Sequence, residues 1–137
     1  MTLQVEMLER SFAQLRPHLD ELGASFYQTL FSRYPEAKPL FASTDISQQQ
    51  KKLAASLVLV VDNLRNPDTL VDALQGLGAK HVGYGTQPEH YSLVGEILLT
   101  TFADYLGPDW TPELEQVWAD AYTAITNLML VGAGQVN

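Results

Sequence analysis

Helical periodicity recurs along nearly the whole of this 137-residue chain, and no apolar–polar alternation of useful strand length interrupts it. Each helix written this way carries an apolar stripe that must be buried against another helix, so the pattern predicts an all-α fold. Prolines and glycines cut the periodicity into segments. A first helix is expected from about Leu3 to Leu15. A second is expected to start near Pro17, with Leu19, Leu22, Phe26 and Leu30 on one face and Gly23, Tyr27 and Phe31 alongside. Pro35 and Pro39 then break the chain into a short, turn-rich corner ending at Phe41. A long helix from about Asp45 to Leu64 directs Ile46, Gln49, Leu53, Leu57, Val60 and Leu64 inward. Asn66-Pro67-Asp68 restarts a helix that should end near His81, before Gly83-Tyr84-Gly85.

Thr86-Gln87-Pro88-Glu89 reads as a capped helix start, opening a helix that buries Tyr91, Val94, Leu98 and Phe102. Gly107-Pro108 closes it. Thr111-Pro112-Glu113 opens the last helix, with Leu114, Trp118, Ala121, Ile125 and Leu128 at core spacing. The glycine-bearing tail, Val131 to Asn137, should be loose. The expected architecture is therefore one domain over 1–137 with six or seven helices and a loose tail from about residue 132.

A chain of this length can bury about two-thirds of its unfolded surface. Its formal net charge of -8 argues against nucleic-acid and anionic-membrane partners, which need clustered Lys and Arg. The absence of cysteine excludes disulfides, iron–sulfur clusters, thiolate haem ligation and covalent c-type haem attachment. The first residues lack the basic and apolar segments of a signal peptide, and no apolar run approaches a membrane span. A soluble, cytoplasmic protein is expected.

Leu70, Leu74, Leu77 and His81 follow one another by steps of four, three and four, so all four share one helix face. A face that buries three leucines carries its histidine into apolar surroundings. Such a residue is either a satisfied core histidine or a metal ligand, since neutral imidazole is the commonest protein ligand for metals. His18 and His90 compete less well. Both fall in a first helical turn after a proline, where added positive charge is disfavoured, and both are expected to be exposed. Polar groups on otherwise apolar faces offer a second side to such a site. Gln49 lies one turn before Leu53 and Tyr27 one turn after Gly23, although either also suits a plain solvated or core position. Tyr91 opens the next helix, where its hydroxyl could orient a ligating imidazole.

Phe26-Tyr27, Phe41 after the proline-rich corner, Gln49 with Leu53, His81, and the run Pro88-Glu89-His90-Tyr91-Ser92-Leu93-Val94-Gly95-Glu96 together resemble the globins. The likeness is to the globin domain of bacterial flavohaemoglobins and to single-domain bacterial globins, and it spans about residues 5 to 131. It implies a globin fold around haem b, with His81 as the proximal iron ligand and Phe41 against the porphyrin face. Tyr27 and Gln49 match the distal polar pair, Leu53 the apolar residue that crowds bound gas, and Tyr91 the proximal tyrosine. Leu57, Leu77, Val94 and Leu98 would line the pocket, and Lys80, with Lys51 or Lys52, would meet the haem propionates.

The resemblance implies tight binding of O2 and other diatomic gases (NO, CO), with Tyr27, Gln49 and Tyr91 as the residues that act on them. It also raises nitric oxide dioxygenation. Flavohaemoglobins continue into a reductase, whereas this chain stops at Asn137, so the electrons are expected from a separate reductase. They also carry a late glutamate that completes a proximal network, where this chain reads Leu130-Val131-Gly132-Ala133-Gly134. The missing carboxylate puts peroxidase-like chemistry in doubt. The alternative function is a haem-based gas sensor that passes ligand state to an output domain, and a cofactor-free helical interaction module is a third.

Overall fold

In a computed structural model the chain is helical throughout, described over residues 4–41, 45–83, 88–132 and 134; of Leu40, His81, Val82, Pro88 and Glu89 only the backbone is described. Six α-helices are present among the described residues: α1 (Val5–Leu15), α2 (Leu19–Arg33), α3 (Ile46–Asp62), α4 (Pro67–Gly83), α5 (Pro88–Leu106) and α6 (Pro112–Gly132). Short 3-10 turns at Arg16–His18, Pro35–Phe41 and Gly107–Asp109 join them.

The boundaries follow local chemistry. Three successive helices, α4, α5 and α6, begin on a proline, whose missing N–H costs nothing in a first turn. Asp45 caps α3, its carboxylate accepting from the Ser47 and Gln48 amides at 3.0 and 3.4 Å. Thr111 caps α6 by accepting from the Leu114 amide at 3.1 Å. Tyr34, ahead of Pro35, leaves helical geometry at φ -129°, ψ 72° and so ends α2. Pro17 behaves differently from the expectation: it sits inside the 3-10 turn, and α2 starts two residues later at Leu19. The expected cap at Thr86-Gln87 and the stop at Tyr84-Gly85 lie outside the described residues.

The larger of two apolar clusters joins α1, α2, α3, α5 and α6 around Phe12, Phe26, Phe102 and Trp118. Phe102 meets Trp118 edge-on at 4.9 Å, a favoured aromatic arrangement. The buried indole N–H of Trp118 donates to Ser11 Oγ at 2.9 Å, and Ser11 in turn donates to the Met7 carbonyl at 2.8 Å. The smaller cluster gathers Val60, Leu70, Leu74, Tyr91, Met129 and Leu130 from the end of α3, from α4, and from the ends of α5 and α6. Helix α3 leans on α2, whereas the main neighbour of α4 is α6.

Two residues expected in the loose tail are helical. Val131 and Gly132 continue α6, and Gly132 packs so tightly that a Cβ there would fall 2.0 Å from the Gln75 carbonyl oxygen of α4. Tertiary contact with α4 holds helical a residue that is a poor helix former by itself.

Candidate functional site: an apolar cleft with a polar pair

The residues singled out from the sequence divide between two walls. Tyr27 and Phe31 of α2, Phe41 at the end of the proline corner, Leu53 and Leu57 of α3, and Val94 and Leu98 of α5 belong to the larger cluster. Leu77 of α4 and Tyr91 of α5 belong to the smaller one, and Leu64 touches both. Leu53, Leu57, Leu77 and Val94 stand on the inward faces of their helices yet are only half-buried. Each also packs against one of the two apolar clusters. Helix α3 is held against α2, and α4 against α6.

An aromatic cage closes one end of the larger wall. The Tyr27 ring is 5.6 Å from Phe41, edge-on at 77°, and 4.9 Å from Phe26. Phe31 meets Phe41 at 5.5 Å. Tyr27 is 5% exposed, and the side chain of Gln49 on α3 comes beside its hydroxyl. Burial raises the Tyr27 pKa above its ordinary value, and the neighbouring Gln49 side chain offsets part of that rise. The phenol is thus a neutral O–H donor at any physiological pH. Gln49, rather than its neighbours Gln48 and Gln50, is the one that meets Tyr27; Gln50 instead backs Gly23, with its backbone and Cβ 3.3 Å from where a Cβ would sit.

On the opposite wall, the Tyr91 ring is 6% exposed and its pKa is raised by burial. Its position is fixed from α6, because Tyr122 donates its hydroxyl to the Tyr91 carbonyl at 2.7 Å. The Tyr122 ring reaches that carbonyl across Gly95, where a Cβ would come within 2.6 Å of it. Tyr122 escaped the sequence reading, although its place one turn after Trp118 was a usable signal. Met129 and Leu130 are buried beside Tyr91, so this stretch of α6 is apolar where the resemblance would put a carboxylate.

His81 lies in the last turn of α4; its side chain, and hence the expected approach of Tyr91 to it, falls outside the described residues. Lys80, Lys51 and Lys52 are exposed and make no ion pair among the described residues, whereas Arg10, Arg16, Arg33 and Arg65 are each paired with a carboxylate. His18 is exposed as expected, near Glu21 and stacked on Tyr105 at 6.0 Å. His90 departs from the expectation: it is half-buried in the first turn of α5. A groove of about 460 Å³ between α5 and α6 is lined by Tyr91, Gly95, Leu99, Tyr122 and Thr126 among others. No helix among the described residues is long and apolar enough to cross a membrane.

Half-buried apolar faces with Tyr27 and Gln49 among them, and His81 on α4, are a donor set and lining that suit a flat apolar group carrying a metal. A Bordetella pertussis flavohemoprotein is 32% identical over 118 residues, covering 85% of this chain and 29% of that protein, so this chain spans under a third of that relative. An Aquifex aeolicus globin-like protein is 30% identical, covering 92% of this chain and 88% of that one. Among solved structures, an engineered carbene transferase built on a candidate nitric oxide dioxygenase from Rhodothermus marinus superposes with a TM-score of 0.87. It is 32% identical, covering 98% of this chain and 95% of that one. The Globin family pattern matches residues 24–129, and this chain belongs to the globin family.

Proposed function

We propose that this chain holds haem b in the cleft between α3 and α4, with His81 as the proximal iron ligand, and binds O2, NO and CO beside Tyr27 and Gln49. Globin membership implies haem and diatomic gas ligands. The finer assignment is supported by the Tyr27–Gln49 pair, two neighbouring polar side chains among otherwise apolar residues. Haem, when bound, would supply an iron that binds the gas and passes on one electron at a time.

The chain's own residues decide which ligand stays. Tyr27 keeps its proton because it is buried, so it can donate to a ligand that takes up negative charge. Gln49 orients that hydroxyl and offers a second N–H donor. Hydrogen bonds to a charged acceptor contribute about 1.5–3 kcal/mol each. Two such donors slow ligand release by about 10²–10⁴-fold. Neutral CO gains much less, so the site favours O2. Leu53 and Leu57 exclude water from the same space, Phe41, Val94, Leu98 and Leu77 pack the faces of the macrocycle, and Lys80 with Lys51 or Lys52 meets its carboxylates.

A globin that retains O2 this firmly is poorly suited to bulk delivery and well suited to consuming NO: NO, O2 and one electron give nitrate. The electron would come from a separate reductase. The flavohemoprotein relative and the Rhodothermus marinus protein support this direction. The test is an absorption spectrum of haem-loaded protein reduced with dithionite, then exposed to air and to NO. A stable oxygenated spectrum, converted to ferric protein and nitrate by NO, is the expected result. An oxygenated form that is absent or collapses at once would overturn the assignment of the distal pair.

A further inference from the structure

Beside the side-chain contacts of the smaller cluster, two glycines let the backbones of α4 and α6 meet directly. A Cβ built on Gly78 would lie 1.9 Å from the carbonyl oxygen of Met129 and 2.7 Å from its Cα. One built on Gly132 would lie 2.0 Å from the carbonyl oxygen of Gln75 and 2.5 Å from its Cα. Gln75 and Gly78 are one turn apart on α4, and Met129 and Gly132 are one turn apart on α6. The contact is therefore reciprocal: each helix gives up a side chain where the other's backbone arrives. The atoms that a methyl would strike are backbone, so no rotamer change can relieve the clash, and a helix would have to move.

Gly76, on the same helix, sharpens the point, since a Cβ there meets nothing within 4 Å. Glycine is a poor helix former in α4, but of Gly76 and Gly78 the close approach is at Gly78. The main support of α4 is α6. His81 follows Gly78 by three residues, about 4.5 Å of helix rise, so whatever fixes the backbone at Gly78 fixes the backbone at His81.

We infer that Gly78 and Gly132 are positioning residues: their backbone contact sets the seat of the helix end that carries His81, and thereby the geometry of the iron–imidazole bond. The inference rests on the reading of His81 as the iron ligand.

The experiment compares haem-loaded wild type with Gly78→Ala, Gly132→Ala and, as the same-helix control, Gly76→Ala. Two quantities are read: the rate of haem transfer to excess apomyoglobin, and the iron–imidazole stretching frequency of the ferrous protein by resonance Raman. The expected result is that Gly78→Ala and Gly132→Ala release haem at least about tenfold faster and shift that frequency, the outcome of forcing one methyl into a closed contact. Gly76→Ala should match wild type in both.

A stretching frequency unchanged in Gly78→Ala and Gly132→Ala overturns the inference, even if both variants melt earlier, because a role in folding alone predicts only the lower melting temperature. Should Gly78→Ala not fold, Gly132→Ala and the Gly76→Ala/Gly78→Ala double variant provide the same readout. Wild type that takes up no haem overturns the reading of the site and the inference together; wild type that binds haem beside indifferent glycine variants overturns the inference alone.

Discussion

The hydroxyl of Tyr27 on α2 stands beside the side chain of Gln49 on α3, next to the Phe26, Phe31 and Phe41 rings. Neither residue is remarkable by type. Their pairing matters because burial keeps the phenol protonated and the amide stands beside its oxygen. A donor aimed in advance loses little entropy when a ligand arrives.

Replacing Tyr27 with Phe removes one donor and leaves the ring. The O2 dissociation rate should then rise by about 10- to 100-fold, the kinetic equivalent of about 1.5–3 kcal/mol. The CO dissociation rate should change far less. Stopped-flow ligand displacement measures both, and an unaltered O2 rate would remove Tyr27 from the site.

The pH dependence follows from the same burial. Tyr27, Tyr91 and Tyr122 all have pKa values raised above the tyrosine reference of 10.0, each chiefly because burial penalises the phenolate. The folded chain therefore binds more protons than the unfolded chain at alkaline pH. The stability this contributes is fully present below pH 10 and is lost as pH rises through the folded values. Urea midpoints should be insensitive to these residues between pH 7 and 9 and fall steeply above about 10. Tyr122→Phe should make that alkaline decline shallower.

Substituting His81 by Gly should abolish haem uptake at stoichiometric haem while leaving the helical circular dichroism of the apoprotein intact. Added imidazole should restore a Soret band by replacing the missing side chain. The same substitution at His90 should leave uptake in place. Haem retention by His81→Gly without imidazole would return this residue to the core.

In the larger cluster, Ser11→Ala takes away the acceptor of the Trp118 indole N–H. Trp118 is 4% exposed, so the orphaned donor stays out of water. A loss of about 1–3 kcal/mol is expected, measurable by urea unfolding of the apoprotein. A Trp118→Phe/Ser11→Ala double variant should cost less than the sum of the two single changes, because the second removes a partner already gone.

The helices were legible in the sequence because their signals are local. Pro67, Pro88 and Pro112 mark three helix starts, Asp45 and Thr111 supply caps, and stripes such as Leu22-Phe26-Leu30 repeat at the helical period. The approach of Gln49 to Tyr27 was legible only in part. Periodicity put Gln49 on an inward face, but it took the packing of α3 on α2 to bring it to Tyr27. Other features had no such signature. His90 was expected to be exposed and is half-buried, and the place of Tyr122 one turn after Trp118 pointed to an inward face but not to the Tyr91 carbonyl it fastens.

Gly132 makes the distinction plain. By itself, a glycine followed by Ala133 and Gly134 suggests an unravelled tail, since glycine loses the most backbone freedom in a helix. In the fold it is the point where α6 meets the Gln75 backbone of α4, and Gly78 is its counterpart. Sequence by itself determined which segments become helices and which faces they bury, because hydrogen bonding and side-chain period are set within a few residues. Only the tertiary structure decided how closely α4 approaches α6 and which polar groups face each other, because those distances belong to two segments at once.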